Sequence, residues 1–159
     1  MAFRIGYGTD LHRLVPGEGI WLGGVKVPAE KMAEAHSDGD VVFHALTDAL
    51  LGAAGLGDIG EMYPASKVRK NEASFRFVEE VMALLSVKGM RVVNADVTID
   101  LEKPRLADWK MPIRDNIAKH LAADPRRINV KAKSAEGLGP VGEGMAVSAQ
   151  AAILLEIIE

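Results

Sequence analysis

Apolar and polar residues alternate along several stretches of the chain, which is the pattern of half-buried strands. One further stretch is almost entirely apolar and predicts a strand that is buried on both faces. These predicted strands are residues 3–7, 20–22, 25–27, 91–101, 128–133 and 146–157. The second and third flank Gly23-Gly24 and should form a hairpin. In the fourth, alternate residues from Val93 to Leu101 should face the core.

A central stretch of the chain carries apolar residues at helical spacing and should form a mostly buried helix. We expect Ser37 to be its N-cap, with Asp40 three residues further on as the second member of a capping box. Gly52, Gly55 and Gly57 should loosen and then end the helix, before a loop at residues 58–60.

Two later stretches predict further amphipathic helices. They cover residues 73–88 and residues 109–121, and Asp108 should cap the second of them. The order of strands and helices along the chain predicts an α+β fold. We therefore expect a single domain over residues 1–159, with its helices packed on one face of a mixed β-sheet.

The composition limits the classes of function. Hydrophobic residues make up 48% of the chain and charged residues 26%, which is typical of a globular domain. The formal net charge of −3 is too small to favour nucleic acid or a membrane surface as a partner. No apolar run is long enough to span a bilayer, and the first residues lack the pattern of a signal or transit peptide, so we expect a cytoplasmic enzyme. The chain has no cysteine, so a metal ion would need His, Asp or Glu ligands, which favours zinc or a harder ion.

Asp10, His12 and His44 are candidate metal ligands. Asp10 and His12 are two residues apart in an extended segment and therefore point to the same side. His44 lies on the central helix, with Asp40 and Asp48 four residues to either side on the same face. Two nitrogens and one carboxylate suit a zinc ion whose fourth position is open. The same residues are also compatible with unrelated polar groups near turns, and Asp48 could either orient an imidazole or be an ordinary helix carboxylate.

A second candidate site lies at the end of a predicted strand. The segment KAKSAE at residues 131–136 could bind phosphate oxygens and, through Glu136, a hard cation such as magnesium; the alternative is a solvated sheet edge. The glycine-rich residues 137–144 lack the Gly-Lys-Ser/Thr ending of a P-loop and predict a turn. No G-x-S-x-G nucleophile motif is present. His120 lies at the end of a predicted helix, and we expect it to be a surface or dipole-compensating residue and not a metal ligand.

Taken together, these motifs resemble the 2-C-methyl-D-erythritol 2,4-cyclodiphosphate synthase family of the non-mevalonate isoprenoid pathway. The resemblance covers essentially the whole chain, and its long central block is specific. The motifs that carry it are RIGYGTDLH, AHSDGDVVFHALTDALLGAAGLGDIG, VNADVTIDLEKP, INVKAKSAEGLG and the closing GEG.

The resemblance implies a role for each motif. Asp10, His12 and His44 match the ligands of zinc, or of another divalent cation, and Glu136 matches the ligand of a magnesium or manganese ion at the substrate diphosphate. The residues that match catalytic positions are His36, Ser134 and Glu136. The residues that match substrate-binding positions are Ser37, Asp58, Gly60, Pro104, Ala132, Lys133 and Ser134.

The resemblance also implies how the substrate is divided among these residues. His36 and Ser37 match residues that hold its phosphate, while Asp58 and Gly60 match those that contact its methylerythritol part. Backbone groups within residues 101–106 match those that surround cytosine. Family members are homotrimers whose active sites lie between neighbouring subunits, which would explain two separated binding motifs in a short chain.

The implied reaction is an intramolecular phosphoryl transfer by a lyase. The 2-phosphate of 4-diphosphocytidyl-2-C-methyl-D-erythritol 2-phosphate attacks the β-phosphorus, CMP leaves, and 2-C-methyl-D-erythritol 2,4-cyclodiphosphate forms. Two anionic groups must approach each other, so cations are needed to neutralise and align them. No protein nucleophile is required, in agreement with the absence of a nucleophile motif.

The chain departs from the family pattern at three places. Tyr63-Pro64-Ala65 stands where many members have Phe-Pro-Asp, so a carboxylate is missing from the substrate loop. Pro140-Val141 stands where many bacterial members have an arginine that lines the trimer axis. Lys133-Ser134-Ala135 replaces a threonine-rich run, of which Ser134 keeps one hydroxyl.

Two other functions fit parts of the same pattern. A zinc phosphohydrolase would use the open zinc position to activate water and would need a general base such as Asp48 or Asp58. A non-catalytic binding trimer would hold a structural metal with four protein ligands, whereas only three good candidates are visible.

Overall fold

A mixed β-sheet with helices on one face forms the body of the protein in the computed structural model, which describes residues 2–158. The strands are β1 (Ala2–Pro16), β2 (Ile20–Leu22), β3 (Val25–Val27), β4 (Lys31–Ala33), β5 (Met90–Asp100), β6 (Ile128–Lys133) and β7 (Ala146–Ile157). The helices are α1 (Val41–Ala54), α2 (Ile59–Met62), α3 (Phe75–Val87), α4 (Lys110–His120) and α5 (Gly139–Gly142), with a 3-10 turn at Pro125–Arg127. Met1 and Glu159, the ends of the predicted domain, lie outside the described residues.

The sheet has five strands in the order β4-β1-β7-β5-β6. β5 and β6 are parallel, and the other neighbouring strands are antiparallel. β2 and β3 form the predicted hairpin as a separate two-stranded sheet. α1 packs on β1 and β7, α3 packs on α1 and β5, and α4 packs on β6. The predicted α+β fold with helices on one face of a mixed sheet is therefore confirmed. Within residues 2–158, no helix has both the length and the apolar character needed to cross a bilayer.

The opposite face of the sheet carries large apolar side chains on β1. Ile5, Tyr7 and Leu11 alternate along this strand and are 81%, 65% and 62% exposed. Their neighbours Gly6 and Gly8 point to the helical side and are buried. The strand thus presents an uncovered apolar strip on one face and a very close-packed surface on the other.

Two glycines of β1 allow α1 to lie directly on the strand backbone. A Cβ atom added to Gly6 would come within 1.8 Å of the Ala49 carbonyl oxygen, and one added to Gly8 within 2.1 Å of the Ala45 carbonyl oxygen. Any side chain at these positions would force the helix away from the strand. This contact places the first turn of α1 beside the middle of β1.

The N-terminus of α1 is fixed by the fully buried carboxylate of Asp40. It accepts hydrogen bonds from the N–H groups of Val42 and Phe43 at 3.1 and 3.0 Å. It also accepts hydrogen bonds from the N–H groups of Gly23 and Gly24, in the hairpin turn, at 2.9 and 2.6 Å. Burial raises the pKa of Asp40, and the hydrogen bonds from these backbone groups oppose that change. Asp40 is the N-cap, so the prediction of Ser37 was wrong: the carboxylate can reach both the helix and the hairpin.

A register shift also corrects the prediction for β5. The pairing of β5 with β7 shifts between Val92 and Asn94, as in a β-bulge. Val92, which is 6% exposed, therefore faces the core, whereas Val93 is half-buried. The alternation from Ala95 onward is as predicted.

Short elements account for most of the remaining differences. β4 lies at Lys31–Ala33, where the sequence pattern predicts no strand, and α2 and α5 lie where a loop and a turn were predicted. Elements of three or four residues are too short to show a period.

Asp108 is not the cap of α4: Trp109 holds that position and makes no side-chain cap hydrogen bond. Ile113, Ile117 and Leu121 are buried as expected.

Candidate functional site

Asp10, His12 and His44 converge on one point between β1 and α1. Asp10 Oδ2 lies 2.8 Å from His12 Nε2 and 3.0 Å from His44 Nδ1, and the two nitrogens are 3.0 Å apart. All three side chains are partly buried. Among residues 2–158, no other group of three or more His, Asp or Glu side chains converges in this way. The predicted ligand set is therefore brought together by the fold.

The chemistry of these three atoms fits a divalent metal ion. Burial opposes the ionisation of Asp10, but the contacts of its carboxylate with the imidazoles of His12 and His44 outweigh it and lower the pKa of Asp10 to about 2. The carboxylate is thus charged at neutral pH and meets two imidazole nitrogens that can each offer a lone pair. Two nitrogens and one oxygen make the three-ligand set of a catalytic zinc site, in which a further position stays open.

Each ligand is positioned by local structure. Asp10 and His12 are alternate residues of β1, so their side chains leave the strand on the same side, as predicted. His44 lies in the first turn of α1, one residue before Ala45, whose carbonyl oxygen rests against Gly8. The close contact between strand and helix therefore also sets the distance between the ligands.

A polar group of three residues lies behind His44. The hydroxyl oxygen of Ser74 is 2.8 Å from His44 Nε2, and that of Ser37 is 3.2 Å away. Ser74 is fully buried, and both its N–H group and its hydroxyl bond to the Asp38 carboxylate. The sequence analysis did not identify Ser74 or Asp38 as site residues. Ser74 is 30 residues from His44 in the chain, and no local pattern signals such a contact.

Asp40 and Asp48 do not face the metal ligands with His44, although their spacing placed all three on one helix face, and of the two alternatives for Asp48 the structure favours the ordinary helix carboxylate. Asp48 Oδ1 accepts a hydrogen bond from the Ile59 N–H group at 3.0 Å, so it holds the start of α2 and does not orient an imidazole. Four residues advance an α-helix by about 40° more than a full turn, so two such steps separate side chains by about 80°. Asp40 in addition precedes the helix and turns towards the hairpin.

A cavity of about 350 Å³ opens beside the three converging side chains. Its lining includes His12 and His44 together with the predicted residues His36, Ser37 and Gly60. His36 Nε2 lies 2.8 Å from the carbonyl oxygen of Val68, across the cavity rim. We call this the small cavity.

Two other residues near the small cavity bear on the predictions. Tyr63 lines it and packs against Phe77, with ring centroids 4.6 Å apart and ring planes tilted by 35°. Burial and the neighbouring Glu80 carboxylate raise the pKa of Tyr63. Asp58 does not line the cavity. Its carboxylate accepts a hydrogen bond from the Glu61 N–H group at 2.9 Å and thereby caps α2.

A second cavity, of about 1020 Å³, contains the other predicted residues. This large cavity lies at the ends of β5 and β6 and is lined by Pro104, Ala132, Lys133, Ser134 and Glu136. The Ser134 hydroxyl donates to Glu136 Oε1 at 3.3 Å, and Glu136 has a left-handed φ of 53°.

The large cavity also has lining residues that the sequence analysis missed. They include Lys31 of β4, whose ammonium group bonds to the carbonyl oxygen of Gly144, and Glu143. Because β4 was not predicted, no sequence pattern indicated that Lys31 lies near residues 142–144. The predicted site residues therefore fall into two separate cavities of one chain.

His120 lies at the end of α4 but is largely buried, so it is not a surface residue. Its side chain is only 9% exposed, and its Nδ1 atom lies 2.9 Å from Glu79 Oε1. The ring stacks on Phe75 with centroids 5.1 Å apart. His120 thus joins α3 to α4 by packing and a hydrogen bond, away from both cavities.

Comparison with known proteins gives matches along nearly the whole chain. A family model described as the YgbB family matches residues 3–156. The 2-C-methyl-D-erythritol 2,4-cyclodiphosphate synthase of Solibacter usitatus is 49% identical over 154 residues, which cover 96% of this chain and 97% of the relative.

Two solved structures show the same fold. The bifunctional IspDF from Campylobacter jejuni matches with a TM-score of 0.94 and 36% identity, over 99% of this chain and 43% of that larger chain. A complex of Plasmodium falciparum IspF with CDP matches with a TM-score of 0.87 and 33% identity, over 99% of this chain and 97% of that one. These similarities extend over the segments that carry both cavities.

Proposed function

The chain belongs to the YgbB family, to which it is matched over residues 3–156, and from this we propose that it is a 2-C-methyl-D-erythritol 2,4-cyclodiphosphate synthase. The proposed reaction converts 4-diphosphocytidyl-2-C-methyl-D-erythritol 2-phosphate to the cyclic diphosphate and CMP, as a phosphorus-oxygen lyase of isoprenoid precursor biosynthesis. The observation that carries the proposal is the convergence of Asp10, His12 and His44 at the small cavity, in a chain that is 49% identical to a named synthase.

Two metal ions fit the proposed chemistry. Asp10, His12 and His44 would hold zinc, or another divalent cation, and Glu136 would contribute to a magnesium or manganese ion at the substrate diphosphate. When bound, such ions neutralise the phosphoryl oxygens and so lower the cost of bringing two anions together.

The chain's own residues would act by binding and orientation. His36 and Ser37 line the small cavity beside the converging ligands, where they can donate hydrogen bonds to the 2-phosphate. The Lys133 ammonium group and the Ser134 hydroxyl line the large cavity, where they can hold the diphosphate. Because the nucleophile is part of the substrate, the protein has to supply positioning and charge stabilisation only.

A homotrimer would explain the division between two cavities. The proposal is that the small cavity of one subunit faces the large cavity of the next, and that the substrate lies between them. The exposed apolar strip of Ile5, Tyr7 and Leu11 supports association through the uncovered face of the sheet. The relatives in which CDP is bound support a nucleotide as part of the substrate.

The deciding experiment is incubation of the purified protein with the diphosphocytidyl substrate, zinc and magnesium, with separation of the products. Release of CMP together with the cyclic diphosphate is expected. CMP with a linear product would instead show the zinc phosphohydrolase, and no CMP would leave only a binding role.

Two variants test the separate metal roles. His44→Ala should abolish zinc binding and turnover. Glu136→Gln should weaken magnesium-dependent turnover and leave the zinc content unchanged, whereas Glu18→Gln, at an exposed turn, should change neither. An equal loss of both metals in Glu136→Gln would contradict the assignment.

A further inference from the structure

His44 uses its two ring nitrogens in opposite directions. Nδ1 faces Asp10 and His12, while Nε2 faces the hydroxyl of Ser74 at 2.8 Å. We propose that Ser74, held by Asp38, is a positioning residue that keeps the proton of His44 on Nε2 and so leaves the Nδ1 lone pair free for the metal ion. This inference rests on the proposed metal centre, and neither Ser74 nor Asp38 is itself a ligand of the metal.

The direction of each hydrogen bond follows from counting protons. A carboxylate oxygen accepts and has no proton to give, so the single hydroxyl proton of Ser74 must point to Asp38 Oδ1. The Ser74 oxygen is then left with lone pairs only. At 2.8 Å from His44 Nε2, it can only accept a hydrogen bond, and Nε2 must carry the proton. The form of imidazole that binds a metal ion is neutral and has one N–H group, so in that form Nδ1 carries the free lone pair.

Asp38 is itself held in place by three backbone contacts. Its carboxylate accepts the N–H groups of Ser74 and Asp40, each at 3.0 Å, and its own N–H group donates to the Glu72 carbonyl oxygen at 2.9 Å. Rotation of the carboxylate would break bonds to two segments of the chain. The acceptor that fixes the Ser74 hydroxyl is therefore rigid.

Burial makes Ser74 the stronger of the two hydroxyl partners of His44. Ser74 is 0% exposed, so water cannot take over its hydrogen bond. Ser37 is half-buried and 3.2 Å away, and its oxygen also accepts the Gly39 N–H group at 3.2 Å. The Phe77 ring, centred 6.0 Å from that of His44, offers no polar group on this side. Outer hydrogen bonds of this kind typically change metal affinity 10–100-fold.

The first test measures the affinity for zinc alone, by competition with a chromophoric chelator, in the wild type and in Ser74→Ala. We expect Ser74→Ala to bind zinc about 10–100-fold more weakly. The matched control is Ser86→Ala, on the exposed side of α3, which should bind zinc like the wild type. The unfolding of the metal-free proteins is measured in parallel. A purely structural role of Ser74 would lower that stability without changing the affinity, and this result would overturn the proposal.

A double-mutant cycle tests whether Asp38 acts through Ser74. Asp38→Asn alone should weaken zinc binding. Adding it to Ser74→Ala should lower the zinc affinity little further, because the hydrogen-bond chain from Asp38 through Ser74 to His44 is already broken. Fully additive losses would show that Asp38 acts by another route.

A spectroscopic measurement on the wild type needs no variant to fold. In the zinc-loaded protein, the Nε2 proton of His44 should appear in a proton–nitrogen correlation spectrum and exchange slowly with water. If the protein binds zinc but this signal is absent, the proposed hydrogen-bond chain from Asp38 to His44 is wrong. A wild type that binds no zinc would instead remove the metal centre, and with it the proposed function.

Discussion

Replacing Gly8 by alanine should break the metal centre by moving a helix. Gly8 lies on β1 directly under α1, and a Cβ atom there would sit 2.1 Å from the Ala45 carbonyl oxygen and 2.7 Å from the Ala49 amide nitrogen. Both of these atoms belong to the helix backbone, so no side chain can rotate out of the way. Either the helix or the strand has to move.

The size of the movement follows from these distances. Real Cβ contacts essentially never fall below 3.0 Å, so the Ala45 oxygen has to retreat by about 0.9 Å. His44 is the preceding residue and moves with it, whereas Asp10 and His12 stay on the strand. Metal–ligand distances tolerate only about 0.2 Å, so this movement exceeds the tolerance several-fold. We expect zinc affinity to fall by at least about 100-fold, more than an outer hydrogen bond contributes.

Gly52→Ala is the matched control, since it is the same change in the same helix–strand unit. A Cβ atom at Gly52 meets nothing within 4 Å. The alanine should stabilise α1 by about 0.5–1 kcal/mol and leave the zinc affinity unchanged. Gly8→Ala should instead lower the free energy of unfolding by about 1–3 kcal/mol, the usual cost of overpacking.

The assay is chelator competition for zinc, with denaturant unfolding of the metal-free proteins. Zinc binding by Gly8→Ala within about 3-fold of the wild type would refute the reasoning, because the overlap would then have been relieved without separating the ligands. Weak binding by Gly52→Ala would refute it equally, since that change leaves the strand contact intact.

Three further predictions concern carboxylates. Asp40→Ala should lower the free energy of unfolding of the metal-free protein by about 3–5 kcal/mol, because a helix cap is lost, and the buried N–H group of Gly23 and the partly buried N–H group of Gly24 lose their acceptors. A urea titration that shows a loss below about 1 kcal/mol would contradict this. The metal-free protein should lose about 2 kcal/mol of stability as the pH falls from about 5 to about 2. The pKa of Asp10 is 3.8 in the unfolded chain and about 2 in the folded protein. The charged carboxylate therefore stabilises the fold above pH 3.8, and this stabilisation is lost as the pH falls towards 2. In Asp10→Asn, the free energy of unfolding should change less with pH across this range than in the wild type. Asp48→Ala should leave zinc affinity within about 2-fold of the wild type, since Asp48 bonds to the Ile59 N–H group; a 10-fold loss in the chelator assay would instead favour the alternative in which Asp48 orients an imidazole.

The long elements and the metal ligands could be predicted because local periodicity determines side-chain direction. Alternation along β1 places Asp10 and His12 on one side, and the apolar face of α1 determines which way His44 points. The two segments can meet closely because Gly6 and Gly8 leave room for α1 on the strand. Zinc, magnesium and the trimer remain predictions.

The contacts that could not be predicted join segments far apart in the chain. Asp40 is 17 and 16 residues from Gly23 and Gly24, whose N–H groups donate to it, and Ser74 is 36 residues from Asp38. A capping residue was expected near this point, but the choice between Ser37 and Asp40 depends on what else the side chain can reach. Such choices follow from tertiary geometry and leave no periodic trace in the sequence.

The division of the predicted residues between two cavities has a genetic consequence. In the proposed trimer, a subunit with His44→Ala keeps an intact large cavity, and one with Glu136→Gln keeps an intact small cavity. Each mixed ring would contain one junction at which the two intact halves meet. Equal random mixing of the two impaired proteins would therefore restore about a quarter of the wild-type turnover, and two defective alleles could complement each other within one cell.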